Sequence, residues 1–190
     1  QELLVFQDSG IGMGMDNDAV FLNDLVAEFN APHLSPEEGI LDSGHLTEVL
    51  KWQLELDPLL KISAFSSYED FVISKVFLQV NPPELYKEWV VEQTSQLSNA
   101  FPERYKTFLI AGDSHTTLLG DPSGALGLEN SNSTAEEVIV KMVDTVAQTS
   151  DGTVAMTDWL ASFAAQNSDW TSAVEDPNRE VEGVENGTLE

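Results

Sequence analysis

The run Thr107-Phe-Leu-Ile-Ala111 limits the fold more than any other feature of this chain. It is almost continuously apolar, which is typical of a strand buried on both faces of a parallel sheet. Gly112 ends the run, and the polar cluster Asp113-Ser-His-Thr116 follows it. Ligands and catalytic groups gather at the carboxyl ends of strands in open α/β sheets, so His115 is placed where a catalytic base would lie. The alternative is that His115 only caps the turn after the strand.

The rest of the chain alternates between strand-like and helix-like segments. Strands are predicted at residues 3–6 and 59–65, and helical patterns cover about 16–30, 45–56, 71–77, 84–99, 134–147 and 156–165. This order predicts an α/β fold with a mostly parallel sheet flanked by helices. We expect one domain over residues 1–172, with a loop and helix insertion at 120–150, and an acidic flexible tail over 173–190.

The charge balance argues against several classes of partner. The chain carries 33 Asp and Glu residues against 8 Lys and Arg residues, a formal net charge of −25. Such a surface has no basic face to neutralise phosphates, so nucleic acids and anionic membranes are poor partners. No apolar run in the sequence reaches the length of a membrane span. An acidic surface favours solubility and salt tolerance, which would suit an exported or marine protein, although charge alone assigns no compartment. We expect a secreted or periplasmic protein.

Metal and cofactor chemistry has little support in the sequence. The absence of cysteine excludes disulfides, thiolate metal sites and a cysteine nucleophile. His33 and His45 have no patterned third ligand nearby, so surface or capping roles are favoured over a metal site. The glycine-rich stretch at 8–14 lacks the Lys-Ser/Thr of a phosphate-binding loop. We therefore predict no metal and no cofactor.

A second polar turn, Ser66-Ser-Tyr-Glu-Asp70, follows the predicted strand at 59–65. A carboxylate there could orient an imidazole, or it could simply favour the start of the next helix. An acid after one strand and a histidine after the next is the chain order of α/β-hydrolases, in which the nucleophile precedes both. No Gly-x-Ser-x-Gly precedes this acid, and Asp8-Ser9-Gly10 does not have that pattern. We expect the nucleophile elbow to lie upstream of this chain.

Four short motifs in this order resemble the C-terminal half of the pectinacetylesterase/Notum-like family of α/β-hydrolases. They are Leu4-Val-Phe-Gln-Asp-Ser-Gly10, the stretch 65–77, Gly112-Asp-Ser-His-Thr116 and Asp158-Trp-Leu-Ala-Ser-Phe163. The resemblance spans most of residues 3–170. It implies the C-terminal part of an α/β-hydrolase domain that cleaves carbohydrate or lipid esters with a Ser-His-acid triad and no cofactor. The family's serine and the cysteines of its eukaryotic members are absent here, which points to a bacterial-type branch.

The resemblance also implies roles for individual residues. His115 would be the general base, oriented by Glu69 or Asp70. The apolar pattern of the following helix puts Glu69 at the family's acid position, whereas Asp70 has the usual residue type, so both stay open. Four residues would line the substrate pocket: Asp8, Ser9, Gly10 and Ser114.

The reaction implied is hydrolysis of an acetylated carbohydrate or a similar ester. The serine would come from the N-terminal part of the same protein, which would be the partner of this chain. The chain alone is then expected to be inactive. The alternative from another class is a non-catalytic α/β binding module in which His115 is only structural.

Overall fold

A parallel sheet of four strands organises the computed structural model, which describes residues 2–9, 11–15, 18–28, 39–82, 84–117 and 142–179. The strands in these ranges are β1 (Leu3–Asp8), β2 (Leu60–Ser67), β3 (Tyr105–Ile110), β4 (Val146–Thr149), β5 (Gly152–Ala155) and β6 (Ala173–Val174). The sheet order is β1-β2-β3-β6, and each neighbouring pair is parallel. Strands β4 and β5 form a separate antiparallel hairpin. The predicted α/β class with a parallel sheet is confirmed.

The helices of the described residues lie beside this sheet. They are α1 (Ala19–Glu28), α2 (Thr47–Leu56), a π-helix (Val72–Phe77), α3 (Glu84–Ala100), a 3₁₀ turn (Met142–Asp144) and α4 (Met156–Ala164). The predicted helices at 45–56, 84–99 and 156–165 are found with ends that differ by no more than two residues. None of the helices in the described part of the chain combines the length and the apolarity needed to cross a membrane.

Strands β2 and β3 are covered on both faces, as the apolar run of β3 predicts. Successive side chains of a strand point to opposite faces, so Ile62 and Phe65 enter different cores. Ile62 belongs to the core that contains Leu54 of α2 and Val90 of α3, whereas Phe65 packs in the core of α4. The fully buried Phe108 meets Trp159 of α4 with ring centroids 5.3 Å apart. The carboxyl ends of β2 and β3 are therefore fixed in place by packing on both faces of the sheet.

The prediction of a helix at 134–147 is wrong for the residues of this range that the structure describes. Residues 134–141 lie outside the described residues, Met142–Asp144 form only a 3₁₀ turn, and Val146 begins β4. The register of the hairpin pairs Thr149 with Gly152 across a two-residue loop. The loop residues are Ser150 and Asp151, and Gly152 after them has a φ of +130°, so pairing across this turn outweighs the helical spacing. The part of the predicted 120–150 insertion at 120–141 also lies outside the described residues.

The apolar residues predicted at helical spacing in the segment 71–77 do not share one buried face, although Ile73 packs against the core. Val76 and Phe77 are 54% and 63% exposed. The segment is a π-helix in which the backbone amide of Leu78 donates to the carbonyl of Ile73, five residues earlier. A π turn is wider than an α turn, so it rotates side chains away from the 3.6-residue pattern.

The segment 173–179 packs against the sheet, although we expected it to belong to a flexible acidic tail. Ala173 and Val174 pair with Phe108 and Leu109 of β3. Glu175 is 4% exposed, and its carboxylate accepts hydrogen bonds from the backbone amides of Ala111 and Gln148 and from Arg179. The rest of the predicted tail, residues 180–190, lies outside the described residues.

The glycine-rich stretch packs closely against the segment that precedes α2. A Cβ atom on Gly14 would lie 1.9 Å from the carbonyl oxygen of Gly44, so no larger residue fits. The backbone amide of Gly14 donates to Nδ1 of His45 at 3.1 Å. His45 is 1% exposed, which corrects the expected surface or capping role, and His33 lies outside the described residues. No group of three or more metal-ligating side chains is found in the described part of the chain.

Candidate active site

The turns that follow β2 and β3 are joined into one unit at the carboxyl edge of the sheet. Gly112, with φ of +93°, allows the chain to reverse sharply after β3, because side-chain-bearing residues are strained there. Three hydrogen bonds connect the end of β2 and the turn after it to successive carbonyl oxygens of the β3 turn. The backbone amides of Glu69 and Phe71 donate to the carbonyls of Gly112 and Asp113 at 3.0 Å and 2.9 Å. The hydroxyl of Ser67 donates to the carbonyl of Ser114 at 2.5 Å. These bonds fix the backbone that leads to His115.

The imidazole of His115 faces the carboxylate of Asp70. Nδ1 of His115 lies 2.9 Å and 3.0 Å from the two carboxylate oxygens. The Asp70 side chain is 0% exposed and that of His115 is 23% exposed. An ionised carboxylate only accepts hydrogen bonds, so Nδ1 of a neutral His115 carries the proton and Nε2 is left as a base. Nε2 makes no hydrogen bond to the described residues, so it is available to take a proton from a hydroxyl or a water.

The surroundings of Asp70 shift the acidity of its carboxyl. Burial raises the pKa of Asp70, although hydrogen bonds from His115 and from the backbone amide of Ile73 act in the opposite direction. The amide of Ile73 donates to Oδ1 of Asp70 at 3.0 Å. Burial, and then the charge of Asp70, raise the pKa of the nearby Tyr86. A carboxylate in such a poorly hydrated site interacts strongly with an imidazolium, because little water screens the pair.

Of the two candidate acids, only Asp70 contacts the histidine. Glu69 is exposed, and its backbone rather than its side chain bonds to the β3 turn. The apolar pattern that put Glu69 at the acid position assumed an α-helix after the turn. The segment Val72–Phe77 is instead a π-helix, so the spacing on which that assignment rested is not the spacing of this segment.

The four residues expected in the substrate pocket are placed in different ways. Gly10 lies outside the described residues, and the carbonyl of Ser114 accepts a hydrogen bond from Ser67. Asp8 accepts hydrogen bonds from Thr116 and Thr117, immediately after the histidine. Ser9 is 3% exposed, has φ of +63°, and its hydroxyl makes no hydrogen bond within the described part of the chain.

Glu175 is a residue near the site that the sequence did not indicate. Its Oε2 accepts from the backbone amide of Ala111 at 2.7 Å, at the point where β3 ends. Its Oε1 accepts from the amide of Gln148 at 2.6 Å and from Nη1 of Arg179 at 2.7 Å. Glu175 therefore fixes the beginning of the segment that carries His115. An acidic residue in a polar stretch gives no sequence signal for such burial.

A scan of protein-family models finds no match to this chain, and comparisons with curated proteins and with solved structures find none either.

Proposed function

We propose that this chain provides the base and the acid of a serine-type carboxylic ester hydrolase of the pectinacetylesterase kind. The observation that carries the proposal is the contact between His115 Nδ1 and the buried carboxylate of Asp70 at the carboxyl edge of a parallel sheet. Nε2, which has no hydrogen-bond partner among the described residues, has the form that a general base requires. An acetylated carbohydrate or a similar ester is the substrate that the motif resemblance favours.

In the proposed reaction, Nε2 of His115 takes the proton of a serine hydroxyl while the serine oxygen attacks the ester carbonyl. The tetrahedral intermediate then collapses, the carbon–oxygen bond to the alcohol breaks, and the imidazolium gives its proton to the leaving alkoxide. A water molecule, deprotonated by the same nitrogen, then attacks the acyl-enzyme. The bond between the acyl carbon and the serine oxygen breaks, the imidazolium returns its proton to the serine oxygen, and the acid leaves. Asp70 stays ionised and stabilises the imidazolium in both steps.

We propose that the serine comes from a further segment, the N-terminal part of the same protein. The outer edge of β1 supports this, because within the described residues β1 pairs only with β2. Strand β1 nevertheless has apolar side chains on both faces, with Val5 packed on one core and Leu4 and Phe6 on the other. Such a pattern is typical of an interior strand of a parallel sheet. A groove of about 410 Å³ runs beside this edge, lined by residues that include Leu3, Leu56 and Leu60.

Ser9 is the alternative nucleophile within the chain. Its left-handed backbone at the end of a strand has the form of a strained nucleophile turn. However, the surrounding sequence lacks the Gly-x-Ser-x-Gly pattern. The Ser9 hydroxyl makes no hydrogen bond to the imidazole of His115. These two observations favour a serine from elsewhere.

The test is covalent labelling of the natively purified protein, with any co-purifying chain, by a fluorophosphonate that reacts with activated serines. We expect one labelled serine, located by mass spectrometry in a segment N-terminal to this chain. In the complete enzyme, hydrolysis of an acetyl ester should fall about 10⁶-fold in His115→Ala and about 10⁴-fold in Asp70→Asn.

Two matched variants complete the test. Glu69→Gln changes the neighbouring exposed acid and should keep labelling and hydrolysis near the wild-type level. Ser9→Ala should also keep both, and a label on Ser9 would show that the nucleophile lies in this chain. Full activity in His115→Ala would refute the hydrolase proposal and leave the non-catalytic binding module.

A further inference from the structure

The carboxylate of Asp8 holds the residues that follow His115. The backbone amide of Thr117 donates to both carboxylate oxygens at 3.0 Å, and Thr117 Oγ1 donates to Oδ1 at 3.1 Å. The hydroxyl of Thr116 donates to Oδ2. Asp8 thus accepts hydrogen bonds from one backbone amide and two hydroxyls, more than 100 residues away in sequence.

These bonds connect two strands that are not neighbours. Asp8 is the last residue of β1, and the histidine segment leaves from β3, with β2 lying between them. The segment must therefore cross the carboxyl end of β2 to reach Asp8. Thr116 and Thr117 are 6% and 3% exposed. Without the carboxylate, their hydroxyls and the amide of Thr117 would lose this acceptor in a poorly hydrated place.

His115 lies between two sets of restraints. On one side, the bonds from the β2 turn hold the backbone as far as the carbonyl of Ser114. On the other side, the carboxylate of Asp8 restrains Thr116, the residue next to the histidine. The direction of the ring depends on both sets, because the residue between two fixed ends has little freedom left.

We infer that Asp8 is a positioning residue for the His115 imidazole, a role distinct from the lining of the substrate pocket that the sequence predicts. This inference rests on the proposed function, since it assigns Asp8 to the same base. Asp8 acts through Thr116 and Thr117 and does not touch the reacting atoms. Its removal should let the ring move relative to Asp70 and shorten the lifetime of the hydrogen bond between them.

The test is NMR spectroscopy of the ¹⁵N-labelled chain, which needs no activity. The proton on Nδ1 of His115 should give a strongly downfield signal, assigned by its loss in His115→Gln. In Asp8→Ala we expect this proton to exchange with water at least tenfold faster. In Asp8→Asn the remaining carbonyl still accepts from Thr117, and the Thr116 hydroxyl can rotate to accept from the amide, so the signal should be retained. Asp151→Asn, in the exposed hairpin loop, is the matched control.

Two further measurements separate positioning from general loss of structure. Urea unfolding must show each variant more than about 99% folded where the exchange is measured. If Asp8→Ala does not fold, Thr116→Val removes one donor with little change of volume and should also speed the exchange.

Unchanged exchange in the folded variant tested, Asp8→Ala or Thr116→Val, would overturn the positioning role. If the Nδ1 proton of Asp8→Asn exchanged with water as fast as that of Asp8→Ala, the geometric explanation would be overturned. Absence of the downfield proton from the wild-type chain would instead contradict the His115–Asp70 pair, and with it the proposed function.

Discussion

Replacing Asp70 by asparagine should stabilise the fold at neutral pH while removing the proposed activity. The Asp70 side chain is 0% exposed, and burial raises its pKa above the ordinary value of 3.8 despite the hydrogen bonds from His115 and Ile73. The folded chain therefore holds the proton more tightly than the unfolded chain. This group favours the fold at low pH, and that contribution is lost as the pH rises through the folded-state pKa.

The size of the effect follows from the same linkage. Each unit by which the folded-state pKa of Asp70 exceeds that of the unfolded chain costs about 1.4 kcal/mol of stability once the group is ionised. Asparagine has no charge to bury and keeps one carbonyl for the amide of Ile73. The free energy of unfolding of Asp70→Asn minus that of the wild type should therefore increase as the pH rises from about 4. It should level off once the native carboxyl is fully ionised.

The measurement is urea unfolding of both proteins from pH 4 to pH 8, followed by circular dichroism. Asp169→Asn, which changes an exposed carboxylate, is the control and should show a much smaller pH dependence. In the complete enzyme, the same Asp70→Asn change should lower ester hydrolysis about 10⁴-fold, because asparagine favours the wrong imidazole tautomer. If the unfolding free energy of Asp70→Asn minus that of the wild type decreased as the pH rises, the fold would favour the ionised carboxylate. That result would refute the argument.

Two other substitutions test the surroundings of the pair. His115→Ala removes a hydrogen bond that lowers the pKa of Asp70, so it should reduce the unfolding free energy at pH 8 by about 2 kcal/mol. The loss should be much smaller when His115→Ala is made in the Asp70→Asn background, and an equal loss in both backgrounds would contradict the coupling. Glu175→Ala should cost about 3 kcal/mol in urea unfolding, since the buried amides of Ala111 and Gln148 lose their acceptor. Asp176→Ala, its exposed neighbour, is the control, and equal effects would contradict the packed state of this segment.

The local patterns of the sequence predicted much of the framework correctly. The apolar run at 107–111 indicated a doubly buried strand, and β3 at Tyr105–Ile110 is covered on both faces. Periodicity located α2, α3 and α4 because their buried stripes repeat within one element. It failed at Val146, where pairing across a hairpin outweighs helical spacing, and at Val76 and Phe77, where a π turn changes the face.

The sequence by itself also predicted that an acid and His115 lie at the same edge of the sheet, because both follow adjacent parallel strands. Only the tertiary structure decided that Asp70 rather than Glu69 contacts His115, since adjacent residues of a turn point in different directions. It alone revealed that Asp8 and Glu175 hold the two ends of the histidine segment. Strand and helix patterns arise from neighbours within one element, whereas these carboxylates accept from backbone amides that lie 27 to 109 residues away in the chain.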